Sequence, residues 1–206
     1  MYGSTKIPDR CMLWVDAVGS YLVCRNDEVA LGQPATSGTA PDVPILGDLS
    51  RRHAVIRREG EIYSLEALRS VRINGKPVTR PSPLWDGSTI ELGDAVRLRF
   101  RKPHPLSATA RLEFVSLHRT QPSTNGILLM ADACILGPAA TSHVVTPRWH
   151  HEVVLFRDAQ ELACRTSAKI KIDGTTKTAG RCILRSGSRV EGEEFAFSLE
   201  PLAKSD

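Results

Sequence analysis

The 206-residue chain is predicted to be an all-β protein. Apolar and polar residues alternate with a period of two in segments such as 96–101, and no convincing apolar stripe follows the 3.6-residue spacing of a helix. Dipeptides typical of tight hairpin turns also recur. These dipeptides are Asn74–Gly75, Asp86–Gly87 and Asp173–Gly174. We therefore expect twisted antiparallel sheets, each with one face buried.

The alternation locates individual strands along the chain. In 89–102, Ile90 and Leu92 alternate with polar residues as far as the turn at 93–94. Val96, Leu98 and Phe100 then face one side of the next strand, while arginines face the other. The same pattern recurs further along. It is carried by Ile170 and Ile172 and by Phe195, Phe197 and Leu199.

The chain also resembles itself at an offset of roughly one hundred residues, which is the size of a domain. The sequence "MLWV" at 12–15 matches "LEFV" at 112–115, and 84–100 matches 183–199. We therefore expect two tandem β-domains, residues 8–102 and 103–206. Prolines in the joint at 101–110 predict a short, stiff connection.

Composition is that of an ordinary globular protein, with 41% hydrophobic and 24% charged residues. The net charge of +4 favours some attraction to anionic partners. No secretory signal is recognisable at the start, and the longest apolar run, 126–137, is too short for a membrane helix. The five cysteines have neither CxxC nor zinc-binding spacing, so we expect reduced, mostly buried thiols in the cytoplasm, without a metal or cofactor.

The segment "LSRRH" at 49–53 places a serine, two arginines and a histidine where a strand begins. It could hold a nucleophile with its base, a basic surface turn or an anion site. Hydrolysis is disfavoured because no signature of a triad or oxyanion hole is recognisable, so we do not expect an enzyme. His150 and His151 are adjacent in sequence and would point to opposite faces of a strand, which favours packed or surface roles over metal binding.

The first copy resembles a forkhead-associated (FHA) domain over most of residues 11–102. The resemblance is carried by "LG" at 31–32, "LSRRHAVI" at 49–56, "ING" at 73–75 and "LWDGSTIELG" with "LRF" in 84–100. It implies two FHA-like β-sandwiches in tandem, the second degenerate, with loops at one end that bind phosphothreonine in a partner protein. The residues it assigns to the structural motif are Gly32, His53, Gly75, Asp86, Gly87 and Gly93.

The resemblance also assigns a phosphopeptide site. Its residues here are Gln33, Ser50, Arg51, Arg69, Ser70 and Asn74. The Ser50 hydroxyl and the Arg51 guanidinium would contact the phosphate, while the His53 ring would hold the loop. Gln33 stands where the family usually carries an arginine, and the 66–75 loop is shortened, with Ser70 as a substitute for the missing phosphate-contacting residue. The similar tetrapeptide "STNG" at 123–126 is interpreted as an ordinary turn.

The second copy departs further from the family. Pro138 follows its turn glycine, and "TPRWHH" at 146–151 has no serine in the position of Ser50. We expect this half to be a scaffold or a protein-contact domain. Trp149 could pack internally or anchor a partner, and the sequence does not separate these roles.

The predicted function is that of a non-enzymatic adaptor in bacterial signalling, whose first domain binds a phosphothreonine or acidic segment. The family suggests Ser/Thr kinases and their substrates as partners. One alternative is a scaffold without phosphopeptide binding. Another is weak, sequence-blind nucleic-acid binding, because residues 51–80 hold eight Arg or Lys against three Glu. The basic run could equally be a solvated sheet edge, and the aromatic content of 5% opposes a base-stacking surface.

Overall fold

The computed structural model describes residues 7–35, 38–158, 161–177 and 180–202; the end of the predicted second domain, 203–206, lies outside the described residues. Within these ranges every regular element is a β-strand and none is a helix, which confirms the all-β prediction. The described residues accordingly contain no helix that could cross a membrane.

The strands follow one another at short intervals. The first eleven are β1 (Arg10–Val15), β2 (Gly19–Cys24), β3 (Glu28–Gly32), β4 (Val43–Leu46), β5 (Ala54–Glu59), β6 (Ile62–Ala67), β7 (Val71–Ile73), β8 (Lys76–Pro77), β9 (Ser82–Leu84), β10 (Thr89–Leu92) and β11 (Val96–Arg101). The next twelve are β12 (Ala110–Phe114), β13 (Arg119–Thr120), β14 (Gly126–Leu129), β15 (Ala133–Gly137), β16 (Val144–Val145), β17 (Val153–Asp158), β18 (Glu161–Thr166), β19 (Ile170–Ile172), β20 (Thr175–Lys177), β21 (Cys182–Leu184), β22 (Arg189–Glu191) and β23 (Ala196–Pro201).

These strands form three sheets. A twelve-stranded sheet has the order β20-β19-β22-β23-β1-β2-β14-β12-β11-β10-β7-β8. A six-stranded sheet has the order β13-β4-β3-β5-β6-β9, and a five-stranded sheet has the order β16-β15-β17-β18-β21. The order β4-β3-β5-β6-β9 in the first half of the chain thus recurs as β16-β15-β17-β18-β21 in the second.

The sheets are mixed, whereas the sequence analysis predicted antiparallel sheets. Strand β3 pairs parallel with β4, β15 with β16, and β14 with β2. The first two parallel pairs arise because the chain makes a long return between their strands, across 33–42 and 138–143, instead of a tight turn. The third joins two strands from different hairpins.

Strands β1 and β12 each pair with the last strand of the other half of the chain. Strand β1 pairs with β23, the last strand of the chain, with Leu13 opposite Leu199. Strand β12 pairs with β11, with Phe100 opposite Leu112. The predicted joint at 101–110 is therefore the connection within an antiparallel pair. The division at 102/103 stays a prediction, and strand pairing crosses it.

Two hydrophobic cores lie on opposite faces of the long central sheet. Leu13 and Leu128 face a core built with the second half of the chain, whereas Leu22 and Ile127 face a core built with the first half. The middle strands β1, β2 and β14 are therefore buried on both faces, and their near-continuous apolar sequences fit this position. Asn125, in the "STNG" segment, accepts from the amide of Ser20 at 2.9 Å, so that segment ties the two hairpins together.

Candidate functional site

The loops between β4 and β5, between β6 and β7, and between β10 and β11 meet at one end of the first half, which we call the Ser50 end. Gly32, the last residue of β3, allows the loop between β4 and β5 to lie against the backbone of β3. A Cβ at this position would lie 2.0 Å from the carbonyl oxygen of Arg51, a separation that no side chain tolerates. The "LG" of the sequence thus has a steric cause, since only glycine lets the two backbones touch.

The buried ring of His53 connects these loops. Its Nδ1 accepts from the amide of Ser50 at 3.2 Å, which leaves the proton of the neutral ring on Nε2. Nε2 therefore donates to the carbonyl of Ser70 at 2.9 Å. The His53 backbone adds a bond from its own N–H to the Leu31 carbonyl at 2.8 Å. The amide of Arg69 lies 3.1 Å from the His53 carbonyl. His53 therefore holds three chain segments together, namely its own loop, β3 and the loop between β6 and β7.

Ser50 is held by its backbone and not by its side chain. Its N–H donates to His53, and its carbonyl accepts from the amide of Gln33 at 3.1 Å. The Ser50 hydroxyl makes no hydrogen bond to a residue that the structure describes, and the residue is half-buried. Arg51 is exposed beside it. A fixed serine backbone with a hydroxyl available for a ligand is a suitable arrangement for binding an anion.

Arg69 and Ser70 lie at the same end, both exposed. The Ser70 carbonyl accepts from His53 and from the amide of Gly93 at 3.0 Å, so it belongs to the same network. Gly93 has a φ of 58°, a left-handed conformation that glycine adopts without strain. The structure thus brings eight of the predicted residues together. They are Gly32, Gln33, Ser50, Arg51, Arg69 and Ser70, with His53 and Gly93 as supports.

The other predicted residues lie at the opposite end of the same strands. Asn74, on the turn between β7 and β8, donates its N–H to the Thr89 carbonyl and accepts from the Thr89 N–H at 2.8 Å. About 13 Å of extended chain separates it from Ser70. Asp86 accepts from the amide of Lys102 at 2.9 Å, beside Gly87. These residues shape turns, and Asn74 does not reach the Ser50 end.

One neighbour of the Ser50 end was not anticipated from the sequence. Strand β13 lies along the edge of β4, with Arg119 opposite Leu46, and the His118 ring packs close to Gly47. The exposed Arg119 adds a cation near the loop. A two-residue strand has too few residues for an alternating pattern to reveal it.

Many cations of the basic run 51–80 and its continuation are paired with carboxylates. Arg52 and Arg57 both contact Glu28, at 3.2 Å each, and Arg58 pairs with Asp27. Further pairs lie beyond the run. They are Arg101–Asp86 at 3.1 Å and Lys102–Glu61 at 3.4 Å. This pairing lowers the net positive charge of the face and fits a solvated sheet edge.

Trp149 lies in the loop between β16 and β17, at the corresponding end of the second half. Trp149 is buried and stacks on Phe195, with ring centroids 4.7 Å apart. Such a pair contributes about 0.5–1.5 kcal/mol beyond its area burial. Trp149 therefore packs internally and is not available as an anchor on the surface.

The described residues contain no group of three or more His, Cys, Asp or Glu placed to hold a metal ion. All five cysteines are free and buried. Burial raises the pKa of Cys11, Cys134 and Cys164 to about 12, so these thiols stay protonated at neutral pH.

The comparisons with known proteins point to the same region. Residues 40–93 match the family model described as FHA domain, a range that spans the loop with Ser50 and the strands around it. FHA domains are in general interaction modules that bind phosphothreonine and are not enzymes. No curated protein and no solved structure matches the chain.

Proposed function

We propose that the Ser50 end binds a phosphothreonine-bearing or acidic segment of a partner protein, and that the chain acts as an adaptor without catalytic activity. The observation that carries this proposal is the state of Ser50. Both of its backbone polar groups are bonded, yet its hydroxyl makes no hydrogen bond to a described residue. The match of residues 40–93 to the FHA family supports the same assignment.

The chemistry of the ligand agrees with the groups at this end. A phosphate monoester carries about −1.5 to −2 charges at pH 7 and three strong acceptors. Ser50 would donate its hydroxyl, and the exposed Arg51 and Arg69 would supply cations. The backbone nitrogen of Gln33 lies 3.1 Å from the Ser50 carbonyl oxygen, but the Gln33 side chain carries no charge. Losing one charge-assisted contact costs about 1.5–3 kcal/mol, so we expect weaker binding than an arginine there would give.

The second half is proposed to be a degenerate copy that acts as a scaffold. Its strands repeat the pairing order of the first half, and its loop at 146–151 has no serine. Within this proposal the partner is a product of a Ser/Thr kinase, in the cytoplasm of a bacterium. The alternatives are a scaffold that binds no phosphopeptide and sequence-blind binding of nucleic acid.

The test is binding of the purified chain to a library of phosphothreonine peptides and to unphosphorylated twins, at two salt concentrations. We expect phosphorylated peptides to bind and Ser50→Ala to abolish the preference. Ser64→Ala, a serine on β6 away from the Ser50 end, serves as the matched control. Equal binding of both peptide sets would contradict the proposal and favour a scaffold. Salt-sensitive binding of DNA without phosphopeptide preference would favour the nucleic-acid alternative.

A gain of affinity gives a second, independent test. Gln33→Arg places a guanidinium beside Ser50, and we expect the dissociation constant for a bound phosphopeptide to fall about tenfold or more. Thr79→Arg adds the same charge to an exposed site beyond β8, and we expect no comparable change. Equal gains from both variants would mean that net charge alone governs binding.

A further inference from the structure

The second half contains a group of donors that surrounds one carboxylate. Glu194, on the turn between β22 and β23, accepts from four nitrogens of His150 and His151. These are the backbone N–H and Nδ1 of His150, and the backbone N–H and Nδ1 of His151, the last two at 3.1 Å each. Both backbone donors point at the same oxygen, Oε1. Successive backbone N–H groups that converge on one point form an anion-binding concavity.

The donors belong to the loop between β16 and β17, and the carboxylate comes from another loop. This loop has the same place in its sheet as the loop with Ser50 has between β4 and β5. The stack of Trp149 on Phe195 fixes the two loops side by side, so the donors would keep their position without Glu194. The carboxylate pKa is lowered to about 2 by these hydrogen bonds, led by the one from His150.

Open space adjoins the donors on both sides. One groove of about 790 Å³ is lined by His151, Lys169, Lys171 and Glu194 among others. A second, of about 690 Å³, is lined by His150, His151, Arg165 and Arg181 among others. The side chains of His150 and His151 are 82% and 45% exposed. A ligand in the second groove can reach both, and a ligand in the first can reach His151. In the first groove Lys169 and Lys171 lie with three carboxylates, those of Glu191, Glu193 and Glu194. In the second groove Arg165 and Arg181 lie with Glu152, and Arg181 is also paired with Asp158 and Glu161. The lining of the second groove therefore has the excess of cations.

We propose that His150 and His151 form a second oxyanion-binding site, which takes a phosphate or carboxylate group of a partner protein and which Glu194 closes in this structure. Glu194 acts as an internal competitor. The site accepts an external anion only in molecules in which the Glu194 side chain has moved off the donors of His150 and His151. The apparent dissociation constant of an external ligand then equals the intrinsic one divided by the fraction of open molecules. The site differs from the Ser50 end in its donors and requires no serine.

The test uses the full chain and follows the amide resonances of His150 and His151 during titration with inorganic phosphate or with acetate. In Glu194→Ala we expect these resonances to shift with a dissociation constant at least about tenfold lower than in the unmodified chain. Glu193→Ala removes the neighbouring carboxylate, which makes no bond to the histidines, and should behave like the unmodified chain. A response to phosphate alone identifies phosphate as the ligand group, and a response to acetate as well identifies carboxylates too.

Glu194→Gln is a second variant for the case in which Glu194→Ala loses its native structure. The glutamine amide has the shape of the carboxylate and keeps one acceptor oxygen, but it has no charge. Adding His151→Ala to this variant should abolish the phosphate response, whereas Ser50→Ala should leave it unchanged, which separates this site from the Ser50 end. The proposal is overturned if neither Glu194 variant, with an otherwise native spectrum, shows a saturable shift at 150 and 151. It is also overturned if the unmodified chain binds as tightly as Glu194→Ala.

Discussion

Arg157 donates a hydrogen bond from Nη2 to the carbonyl oxygen of Met130, at 2.8 Å. The same nitrogen donates to the carbonyl of Arg25. These two carbonyls lie in the segments 25–27 and 130–132, which lead from β2 and β14 of the central sheet to β3 and β15 of the two smaller sheets. Burial is the main reason why the pKa of Arg157 is lowered. One side chain thus fixes both connecting segments, and the central sheet is joined to the two smaller sheets by short, tightly held connections.

The pairing of β1 with β23 can be tested by cross-linking. Trp14 lies opposite Ser198 in the β1–β23 pair, at a separation typical of directly opposed residues, which a disulfide can span. We expect Trp14→Cys with Ser198→Cys to form a disulfide under mild oxidation, seen by mass spectrometry of peptides. Trp14→Cys with Arg99→Cys, at the matching position of β11, should stay reduced. A cross-link to β11 instead would mean that each hairpin remains with its own half.

Gly32→Ala should destabilise the first half. The added methyl would lie 2.0 Å from the Arg51 carbonyl oxygen, so the loop with Ser50 must move. We expect a loss of about 1–3 kcal/mol in the free energy of unfolding, measured by denaturant titration. Gly60→Asn is the control, because that glycine has open space around it and its left-handed conformation suits asparagine. Equal stability of both variants would show that the close approach is not required.

His53→Phe should loosen the Ser50 end. The ring would still fill the buried space, but the amide of Ser50 would lose its acceptor, and the carbonyl of Ser70 would keep only the amide of Gly93. An unsatisfied buried polar group costs about 1–3 kcal/mol, and hydrogen exchange at the amide of Ser50 should accelerate. Arg52→Ala breaks only an exposed pair with Glu28 and should cost no more than about 1 kcal/mol. Unchanged exchange at Ser50 in His53→Phe would contradict the assigned hydrogen bond.

The pairing of His150 with Glu194 should depend on pH. The pKa of His150 is raised by its hydrogen bond to Glu194, so its stabilising contribution is lost as pH rises through the folded-state pKa. The pKa of Glu194 is lowered to about 2, so its contribution is lost as pH falls from the ordinary carboxyl range toward that value. The pair is therefore strongest in mildly acidic solution. The difference in melting temperature between the unmodified chain and His150→Ala should be largest there, and a difference that grows above neutral pH would contradict this.

The cysteines should be unreactive in the folded protein. All five are buried, and the raised pKa values of Cys11, Cys134 and Cys164 leave little thiolate to react at neutral pH. A chromogenic disulfide reagent should label none of them within minutes under native conditions and all five in denaturant. Rapid labelling of one thiol in the native chain would reveal local opening around it.

The sequence predicted those features that depend on neighbouring residues. Alternation between Ile90 and Phe100 predicted the β10–β11 pair, and the structure has it with Ile90 opposite Leu98. The repeat could not tell which hairpin pairs with β23, because β1 and β12 have similar sequences and each fits an antiparallel edge. The burial of Trp149 depends on Phe195, which no local pattern connects to it.

The sequence predicted part of the candidate site as well. Ser50, Arg51 and His53 are close in the chain, whereas Gln33, Arg69 and Ser70 were assigned to the site by resemblance. In the structure, hydrogen bonds that involve Ser50 or His53 hold these three beside the loop. Asn74 was assigned to the site by resemblance, but the direction of β7 carries it away. Arg119 was missed because its position depends on a segment that folds back from the second half of the chain.

The pairing of β1 with β23 determines how the molecule responds to mechanical force. Cys11 lies opposite Pro201, so segments that continue from these strands leave the sheet from neighbouring points. Tension between them would pull the two strands apart from that end and break their hydrogen bonds one at a time instead of loading them together. The strands would therefore separate sequentially and at low force. Separation would begin with the β1–β23 pair, which covers the core of the second half, and the Ser50 end would stay intact.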